Sequence, residues 1–278
     1  GEIWPLFDLG DDCRQRFGAP YWMVHRGDLH GALVQELERL SPKSLRMGAS
    51  AQGVTQVGNT ATLHFDQGSV TGDIVIGSDG VHSAVRDAIF KSPKAKFTGL
   101  MAWRGIAKMA DLPEELRRPV GTNWVGSGAH VITYPVRGGE LLNFVGVAEN
   151  DAWTSESWSE AGTQADCAAD FSHWNPLVQT AIAAIETPYR WALVERQPIE
   201  TWVKGRIALL GDACHATLPF LAQGAGMAIE DGVVLADCLV SASDPEAGLS
   251  QYAALRKPRT DAVIAGSSGN TGRFHNPE

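Results

Sequence analysis

The sequence has 278 residues, of which 44% are hydrophobic and 20% are charged, and its net charge is −9 at pH 7. This composition is typical of a folded globular protein and excludes a long disordered or collagen-like chain. The acidic balance argues against a nucleic-acid footprint and against a surface made for anionic membranes. The length predicts two domains of ordinary size or one large α/β unit.

The chain shows no signal for a membrane or for an oxidising compartment. It has no run of about 18 apolar residues, and its N-terminus lacks the basic start and apolar core of a signal peptide. The four cysteines, Cys13, Cys167, Cys214 and Cys238, show no C-x-x-C or zinc-type spacing. We therefore predict reduced thiols, a cytoplasmic protein and no metal site.

The first segment, 1–96, has the pattern of an α/β domain. Residues 26–40 carry apolar side chains at helical spacing and predict a helix with Asp28 as its N-cap. Residues 61–66 alternate in the manner of a strand. The almost wholly apolar run 73–77 predicts a strand that is buried on both faces.

The central segment, 97–199, is rich in tryptophan and predicts a second domain built on a mostly antiparallel sheet. Residues 130–136 and 141–148 predict two strands joined by a hairpin turn at Arg137–Glu140. Residues 163–185 predict helical structure.

The last segment, 200–278, returns to the α/β pattern. Residues 206–210 predict another buried strand, and helices are expected over 227–240 and 245–264. The order indicates one nucleotide-binding α/β domain, formed by 1–96 and 200–278 and interrupted by a substrate domain at 97–199.

A first motif, residues 77–86 (GSDGVHSAVR), follows the strand of the first segment. Asp79 stands at the carboxyl end of a strand, where open α/β sheets bind ligands. Gly80 permits a sharp turn and a close backbone approach. Ser83 is placed to cap a helix from which Arg86 projects. A purely structural strand–turn–helix with a capping aspartate is the alternative.

A second motif occupies residues 205–231. Its strand ends in Gly211-Asp212, a loop containing Pro219 follows, and the run 223–226 (QGAG) opens a helix. The free N–H groups and positive dipole at a helix N-terminus suit phosphates and other anionic groups. The alternative is a structural turn that leads into a core helix.

Together these motifs resemble the class A FAD-dependent aromatic hydroxylases, in particular the branch of salicylate hydroxylase, 3-hydroxybenzoate 6-hydroxylase and 6-hydroxynicotinate monooxygenase. The D-G-x-x-S-x-V-R run at 79–86 matches the family's second fingerprint, residues 205–231 match its third, and V-H-R-G-D-L at 24–29 matches a further pattern. The resemblance covers essentially the whole chain. The family's opening G-x-G-x-x-G unit is absent from this sequence, and we expect the chain to be part of a longer protein.

The resemblance implies an FAD-binding three-layer domain interrupted by a mixed or antiparallel β-sheet substrate domain. Asp212 would bond the ribityl chain, and Arg26 would reach the ribityl or diphosphate region. Asp79 and Gly80 would lie near the diphosphate and help to organise NAD(P)H. The isoalloxazine ring would be lined by Pro219, Gly224, Ala225 and Gly226.

The resemblance also implies the reaction, which is hydroxylation of a phenolic or hydroxy-acid ring with NADH or NADPH and O₂ through a C4a-hydroperoxyflavin. His130 would act as the base near the phenol, and Gln223 would orient the substrate. The expected partners are a small aromatic substrate and O₂, with no nucleic acid and no membrane. A homodimer is an open alternative to the monomer.

Two other functions remain as alternatives. A truncated, flavin-free binding or scaffold protein is favoured by the missing pyrophosphate motif. A non-hydroxylating flavin reductase or a halogenase could use the same fold, although the W-x-W-x-I-P run of halogenases is absent. A catalytic Cys214–His215 dyad is disfavoured because neighbouring side chains diverge.

Charged residues after the second motif are given structural roles. We expect Glu230 and Asp231 to support their helix without direct chemistry. Arg256, Lys257 and Arg259 are expected to lie on a solvated helix face.

Overall fold

The computed structural model describes residues 4–6, 8–90, 92–150 and 160–275. The chain divides into two compact units. Of the described residues, the first unit comprises those up to Leu45 together with Gly99–Ala192, and the second comprises Arg46–Thr98 together with residues 193–275.

Eight helices and twelve strands are defined in the described ranges. The helices are α1 (Asp11–Phe17), α2 (Arg26–Leu40), α3 (Ala84–Ile89), α4 (Gln164–Asp170), α5 (Pro176–Ala183), α6 (Asp212–His215), α7 (Gly224–Ser241) and α8 (Pro245–His275). The strands are β1 (Ala51–Val57), β2 (Thr60–Phe65), β3 (Gly68–Gly72), β4 (Val75–Gly77), β5 (Lys96–Lys108), β6 (Thr122–Gly126), β7 (Ala129–Val136), β8 (Leu141–Glu149), β9 (Glu160–Ala161), β10 (Tyr189–Glu195), β11 (Val203–Lys204) and β12 (Ile207–Leu209).

The first unit is built on a six-stranded sheet with the order β6-β7-β8-β5-β10-β9. The pairs β6–β7, β7–β8, β8–β5 and β10–β9 are antiparallel. One face of the sheet packs against α4 and α5, because apolar side chains alternate along the strands and meet those of the helices. Trp103 and Phe144 on the sheet and Phe171 and Ile182 of the helical layer form the centre of this core.

The second unit contains two three-stranded sheets, β1-β2-β3 and β11-β12-β4. The strands β12 and β4 run parallel, with Leu209 opposite Gly77. Helices α7 and α8 pack on each other, and the core includes Trp202 and Tyr252, which are both almost fully buried. The Tyr252 hydroxyl donates to the carbonyl of Leu209 at 3.1 Å.

Most of the predicted elements are confirmed. The helix at 26–40, the strand at 61–66, the hairpin strands and the mostly antiparallel central sheet are present, and the α/β fold class is confirmed. The helix of residues 245–264 continues to His275.

Two details of the predicted elements are wrong. The N-cap of α2 is His25 rather than Asp28, which lies in the first helical turn. The predicted helical stretch 163–185 is two helices, because Asn175 caps a new helix whose first residue is Pro176.

The boundaries of the compact units differ from the predicted division into 1–96, 97–199 and 200–278, because the central part runs from Gly99 to Ala192. The residues up to Leu45 belong with the central segment rather than with the rest of 1–96. The assignment of a cofactor domain and a substrate domain stays a prediction. Among the described helices, none is both long enough and apolar enough to cross a membrane.

Candidate functional site

The two sequence motifs leave the same edge of one sheet in the second unit. Strands β4 and β12 are parallel neighbours, so both have their carboxyl ends at this edge. The loop that carries Asp79 follows β4, and the turn that carries Asp212 follows β12. Loops at the carboxyl ends of parallel strands are where open α/β sheets bind ligands.

The Asp79 loop is built by side-chain bonds to the start of α3. The Ser83 hydroxyl donates to Asp79 Oδ1 at 2.5 Å and accepts the Arg86 N–H at 2.9 Å, which confirms Ser83 as the N-cap. The Val85 N–H donates to Asp79 Oδ2 at 3.2 Å. Gly80 has φ +79°, and a Cβ there would meet open space. Asp79 thus makes the bonds that the structural alternative, a capping aspartate, predicts. The residue is nevertheless exposed at the edge of the sheet.

Arg86 joins the two motifs physically. Its side chain is 1% exposed, and its Nη1 donates to the carbonyl oxygen of Ala213 at 3.2 Å. The bond links α3 to the turn that follows β12, 127 residues away in sequence. The relative position of the two loops is therefore fixed by a buried, charge-assisted hydrogen bond.

Asp212 is presented by a turn that requires glycine. Gly211 has φ 63° and ψ −142°, a conformation that L-residues rarely adopt, and a Cβ there would lie 3.2 Å from the Ala228 Cβ of α7. Asp212 is the first residue of α6 and is exposed. A Cβ on Gly224 would lie 4.0 Å from Asp212 Oδ1, so the start of α7 stands beside this carboxylate.

The loop before α7 exposes backbone N–H groups. Pro219 opens a short 3₁₀ turn, and Ala222 has φ 52°, a left-handed value that is uncommon for a residue with a Cβ. Met227 is the first residue of α7 whose N–H donates to a carbonyl four residues earlier, which is that of Gln223 at 2.8 Å. The N–H groups of residues 224–226 thus precede the helical ladder. Gln223 is the N-cap residue, and its side chain makes no cap bond.

This edge fits an anionic, hydroxyl-bearing group such as FAD. Gly226 has open space where a Cβ would be, and the exposed carboxylate of Asp212 can accept hydrogen bonds from hydroxyl groups. A small cavity behind Asp212, whose lining includes Arg86, Cys214 and His215, has a volume of about 10 Å³. That volume holds about one water molecule, so a larger ligand does not fit inside this cavity.

The charged cluster behind the Asp212 turn is more elaborate than the sequence indicates. Asp231 is 0% exposed, and its carboxylate bonds residues outside its own helix. Its carboxylate accepts bonds from the Gly211 N–H at 3.1 Å, from His215 Nε2 at 2.5 Å and from Arg256 Nε at 2.7 Å. Arg256 is 6% exposed, so its assignment to a solvated face is wrong.

The Cys214–His215 pair does not form a dyad. The Cys214 thiol donates to the Gly211 carbonyl at 3.4 Å, whereas His215 Nε2 faces Asp231. Burial raises the pKa of the Cys214 thiol well above its usual value, and the charge of Asp231 adds to this effect. The thiolate that a nucleophile needs is therefore strongly disfavoured.

His130 lies in the first unit, on the sheet face opposite the apolar core. It is 1% exposed and faces Val147 across the β7–β8 pair. Tyr134 is four residues further along β7 and stands opposite Asn143, so alternation places all three polar side chains on one face. Gln223 belongs to the second unit, so the predicted partnership of these two residues stays a prediction.

Arg104 brings positive charge to the same sheet face. Arg104 lies in β5 and pairs with Val145 of β8. Val145 also pairs with Ile132 of β7, which lies between His130 and Tyr134. The Arg104 guanidinium lies 5.6 Å from the ring centroids of both Tyr189 and Trp191. Burial, followed by the nearby positive charge of Arg26, lowers the pKa of Arg104.

Arg26 is the first residue of α2 and is exposed. Burial raises the pKa of Tyr134, and the electrostatic interaction with Tyr21 raises it further, whereas the positive charge of Arg26 opposes this shift. The predicted cofactor ligand Arg26 thus acts electrostatically on the polar face that carries His130. The strand period could have revealed Tyr134 and Asn143, but the approach of Arg26 depends on long-range contacts.

No group of three or more histidine, cysteine or acidic side chains that could hold a metal ion occurs within the described ranges.

Comparison with known proteins agrees with this geometry. The model of the FAD binding domain family matches residues 12–267. The chain is 37% identical to 3-amino-4-hydroxybenzoate 2-monooxygenase of Streptomyces platensis, over 98% of this chain and 68% of that protein. It is 36% identical to 6-hydroxynicotinate 3-monooxygenase of Pseudomonas fluorescens, over 98% of this chain and 71% of the relative.

A solved structure shows the same fold. HpxO of Klebsiella pneumoniae, complexed with FAD and uric acid, matches with a TM-score of 0.85 at 29% identity, over 96% of this chain and 68% of that chain. The chain therefore belongs to the FAD binding domain family and, within it, to the flavin-dependent aromatic monooxygenases. The predicted resemblance is confirmed. The chain spans about two thirds of the length of these relatives.

Proposed function

We propose that this chain carries the flavin-binding and substrate-facing residues of a monooxygenase that hydroxylates an aromatic acid bearing a hydroxyl group. The observation that carries the proposal is the shared sheet edge, where the Asp79 loop, the Asp212 turn and the start of α7 stand together. Family membership supplies the cofactor class, FAD.

The residues at the edge have distinct tasks toward FAD. The Asp212 carboxylate would accept hydrogen bonds from ribityl hydroxyl groups, and the N–H groups at Gly224, Ala225 and Gly226 would stabilise negative charge on the ring. Pro219 would help to line the ring. When bound, FAD would supply the activation of O₂, with electrons from NADH or NADPH.

The sheet face of the first unit is the proposed contact surface for the substrate. His130 would accept the proton of the ring hydroxyl, since an imidazole can do so near neutral pH. Arg104, whose charge adds to that of Arg26, suits a carboxylate. Gln223 would orient the ring. The relatives named above act on an aminohydroxybenzoate and a hydroxynicotinate, which carry both groups.

The first test is an FAD titration of the chain, followed by quenching of flavin fluorescence. Saturable micromolar binding is expected, and Asp212→Ala should weaken it. Lack of binding by the unaltered chain would contradict the proposal for these residues alone and would leave the flavin-free scaffold protein as an alternative.

The second test measures O₂ uptake and H₂O₂ release by the flavin-loaded protein with NADH or NADPH. The substrates are 3-amino-4-hydroxybenzoate, 6-hydroxynicotinate, 3-hydroxybenzoate and salicylate. His130→Ala should lower hydroxylation and raise H₂O₂ release, whereas His64→Ala, on a strand of the second unit, should change neither. Unchanged turnover and coupling in His130→Ala would overturn the role of His130.

Two further assignments belong to the proposal. The cytoplasm is the proposed location, which the four free cysteines support. A homodimer is the proposed assembly, and sedimentation of the flavin-loaded protein would test it.

A further inference from the structure

The buried carboxylate of Asp231 anchors both ends of the turn that presents Asp212. Its Oδ2 accepts the N–H of Gly211, one residue before Asp212, at 3.1 Å. The same oxygen lies 2.5 Å from Nε2 of His215, three residues after Asp212. The turn is thus held from inside the unit while Asp212 itself faces outward.

The charge of Asp231 is balanced on its other side. Arg256 Nε donates to Oδ1 at 2.7 Å, and Arg256 Nη2 also lies 2.8 Å from Glu230 Oε2 at the surface. Burial acts to raise the pKa of Asp231, but the bonds from His215 and Arg256 outweigh it, and its pKa lies below the usual value. A buried carboxylate is retained as an ion because these donors compensate its lost hydration.

The turn needs such an anchor because its backbone is unusual. Gly211 has a left-handed φ of 63°, and α6 behind it is only four residues long. A helix of that length gains little stability from its own backbone bonds. The Gly211 N–H donates to the Asp231 carboxylate, so this side chain fixes the inward orientation of that N–H.

We propose that Asp231 is a positioning residue, which holds the Gly211–His215 turn so that Asp212 can bond the ribityl hydroxyl groups of FAD. This inference rests on the proposed function. Asp231 acts through Asp212 and touches no cofactor atom itself.

A double-mutant cycle on FAD affinity tests the inference. Asp231→Asn replaces one acceptor oxygen with a donor and should weaken FAD binding about tenfold or more. Asp212→Ala should weaken it similarly. The double variant should bind no more weakly than Asp212→Ala, because the position of an absent carboxylate no longer matters. Asp237→Asn, which alters an exposed carboxylate of the same helix in the same way, is the matched control and should leave the affinity unchanged.

A second readout follows the turn without the flavin. Hydrogen exchange of the Gly211–His215 amides should accelerate in Asp231→Asn and not in Asp237→Asn. If Asp231→Asn does not fold, His215→Ala takes its place. It removes one of the two anchors of the turn and should show the same non-additivity with Asp212→Ala.

The outcomes separate this inference from the proposed function. Additive losses in the cycle, or an unchanged affinity in Asp231→Asn, would overturn the positioning role alone. An unchanged affinity in Asp212→Ala would instead overturn the assigned role of Asp212 at the flavin site. Unchanged amide exchange in Asp231→Asn would refute the anchor even in a protein that binds FAD.

Discussion

At the scale of single residues, the buried hydroxyl group of Ser83 makes two hydrogen bonds. It caps α3 through the Arg86 N–H and holds the Asp79 carboxylate, and it is 0% exposed. We expect Ser83→Ala to lower the free energy of unfolding by about 1–2 kcal/mol, the usual cost of a lost cap. Urea denaturation measures this loss. Ser69→Ala, on an exposed strand, is the control, and equal losses in both variants would contradict the assignment.

Single residues also show what sequence can and cannot reveal. The capping role of Ser83 is predictable because a cap bonds a backbone group three residues away. The partners of Asp231 lie 16, 20 and 25 residues away, at His215, Gly211 and Arg256. No local pattern encodes such a cluster, so local reasoning places Asp231 in support of its own helix and Arg256 on a solvated face.

At the scale of elements, an exposed ion pair connects the start of α2 to the β7–β8 hairpin. Arg137 donates to both oxygens of Asp28, at 2.6 and 2.7 Å. This bonding lowers the pKa of Asp28 to about 2, and His25 contributes less. A carboxyl group whose pKa is lower in the folded state stabilises the fold above its unfolded pKa of 3.8, and this contribution is lost as the pH falls toward 2.

The prediction for this pair concerns the titration of Asp28. Its carboxyl resonance should titrate with a midpoint of about 2, and in Arg137→Ala the midpoint should rise toward 3.8. Arg39→Ala is the control, because Arg39 bonds Glu36 near the other end of the helix. An NMR pH titration measures the midpoints. A midpoint that does not move in Arg137→Ala would disprove the ion pair.

The packing of the central sheet on its helices depends on a missing side chain. A Cβ on Gly146 of β8 would lie 2.5 Å from Phe171, whose ring is held edge-on by Phe144 and Trp174. We expect Gly146→Ala to lower the free energy of unfolding by about 1–3 kcal/mol through overpacking.

Gly31→Ala provides the matched comparison for Gly146→Ala. Gly31 lies inside α2, and the place that an added methyl group would take has no neighbour within 4 Å, so alanine there should raise stability by about 0.5–1 kcal/mol. Thermal and urea unfolding of both variants give the sign of each effect. A stable Gly146→Ala protein would show that the Phe171 ring can move.

The same elements show where local patterns suffice. The hairpin at Arg137–Glu140 is predicted correctly, because turn residues and strand alternation are local signals. The apolar spacing of 26–40 predicts α2 correctly, yet Leu33 and Leu40 are 58% and 66% exposed. Periodicity thus indicates that a helix forms without telling what its apolar face contacts.

At the scale of the whole molecule, sequence motifs identify the family but not the division into compact units. The motifs at 79–86 and 205–231 are local, and their residues converge on one sheet edge. The association of the residues up to Leu45 with the central sheet is set by long-range contacts. The hairpin bond between Arg137 and Asp28, 109 residues apart, is one such contact.

The buried cysteine thiols allow the opening of each compact unit to be followed separately. Cys167 is 0% exposed in the core of the first unit, and burial raises its pKa to about 12. Cys214 and Cys238 lie in the core of the second unit, and burial raises the pKa of both. Cys13 is partly exposed on α1. Since only an accessible thiolate reacts, the folded protein should show one rapidly labelled thiol.

Labelling with a thiol-specific disulfide reagent at pH 8 tests this expectation. One equivalent should react quickly in the native protein, and all four should react in denaturant. Cys13→Ser should abolish the fast phase. The slow phases then measure the opening of each unit, because Cys167 reports on the first and Cys214 and Cys238 on the second. Two or more fast equivalents in a protein that retains its native circular dichroism would contradict the burial of these thiols.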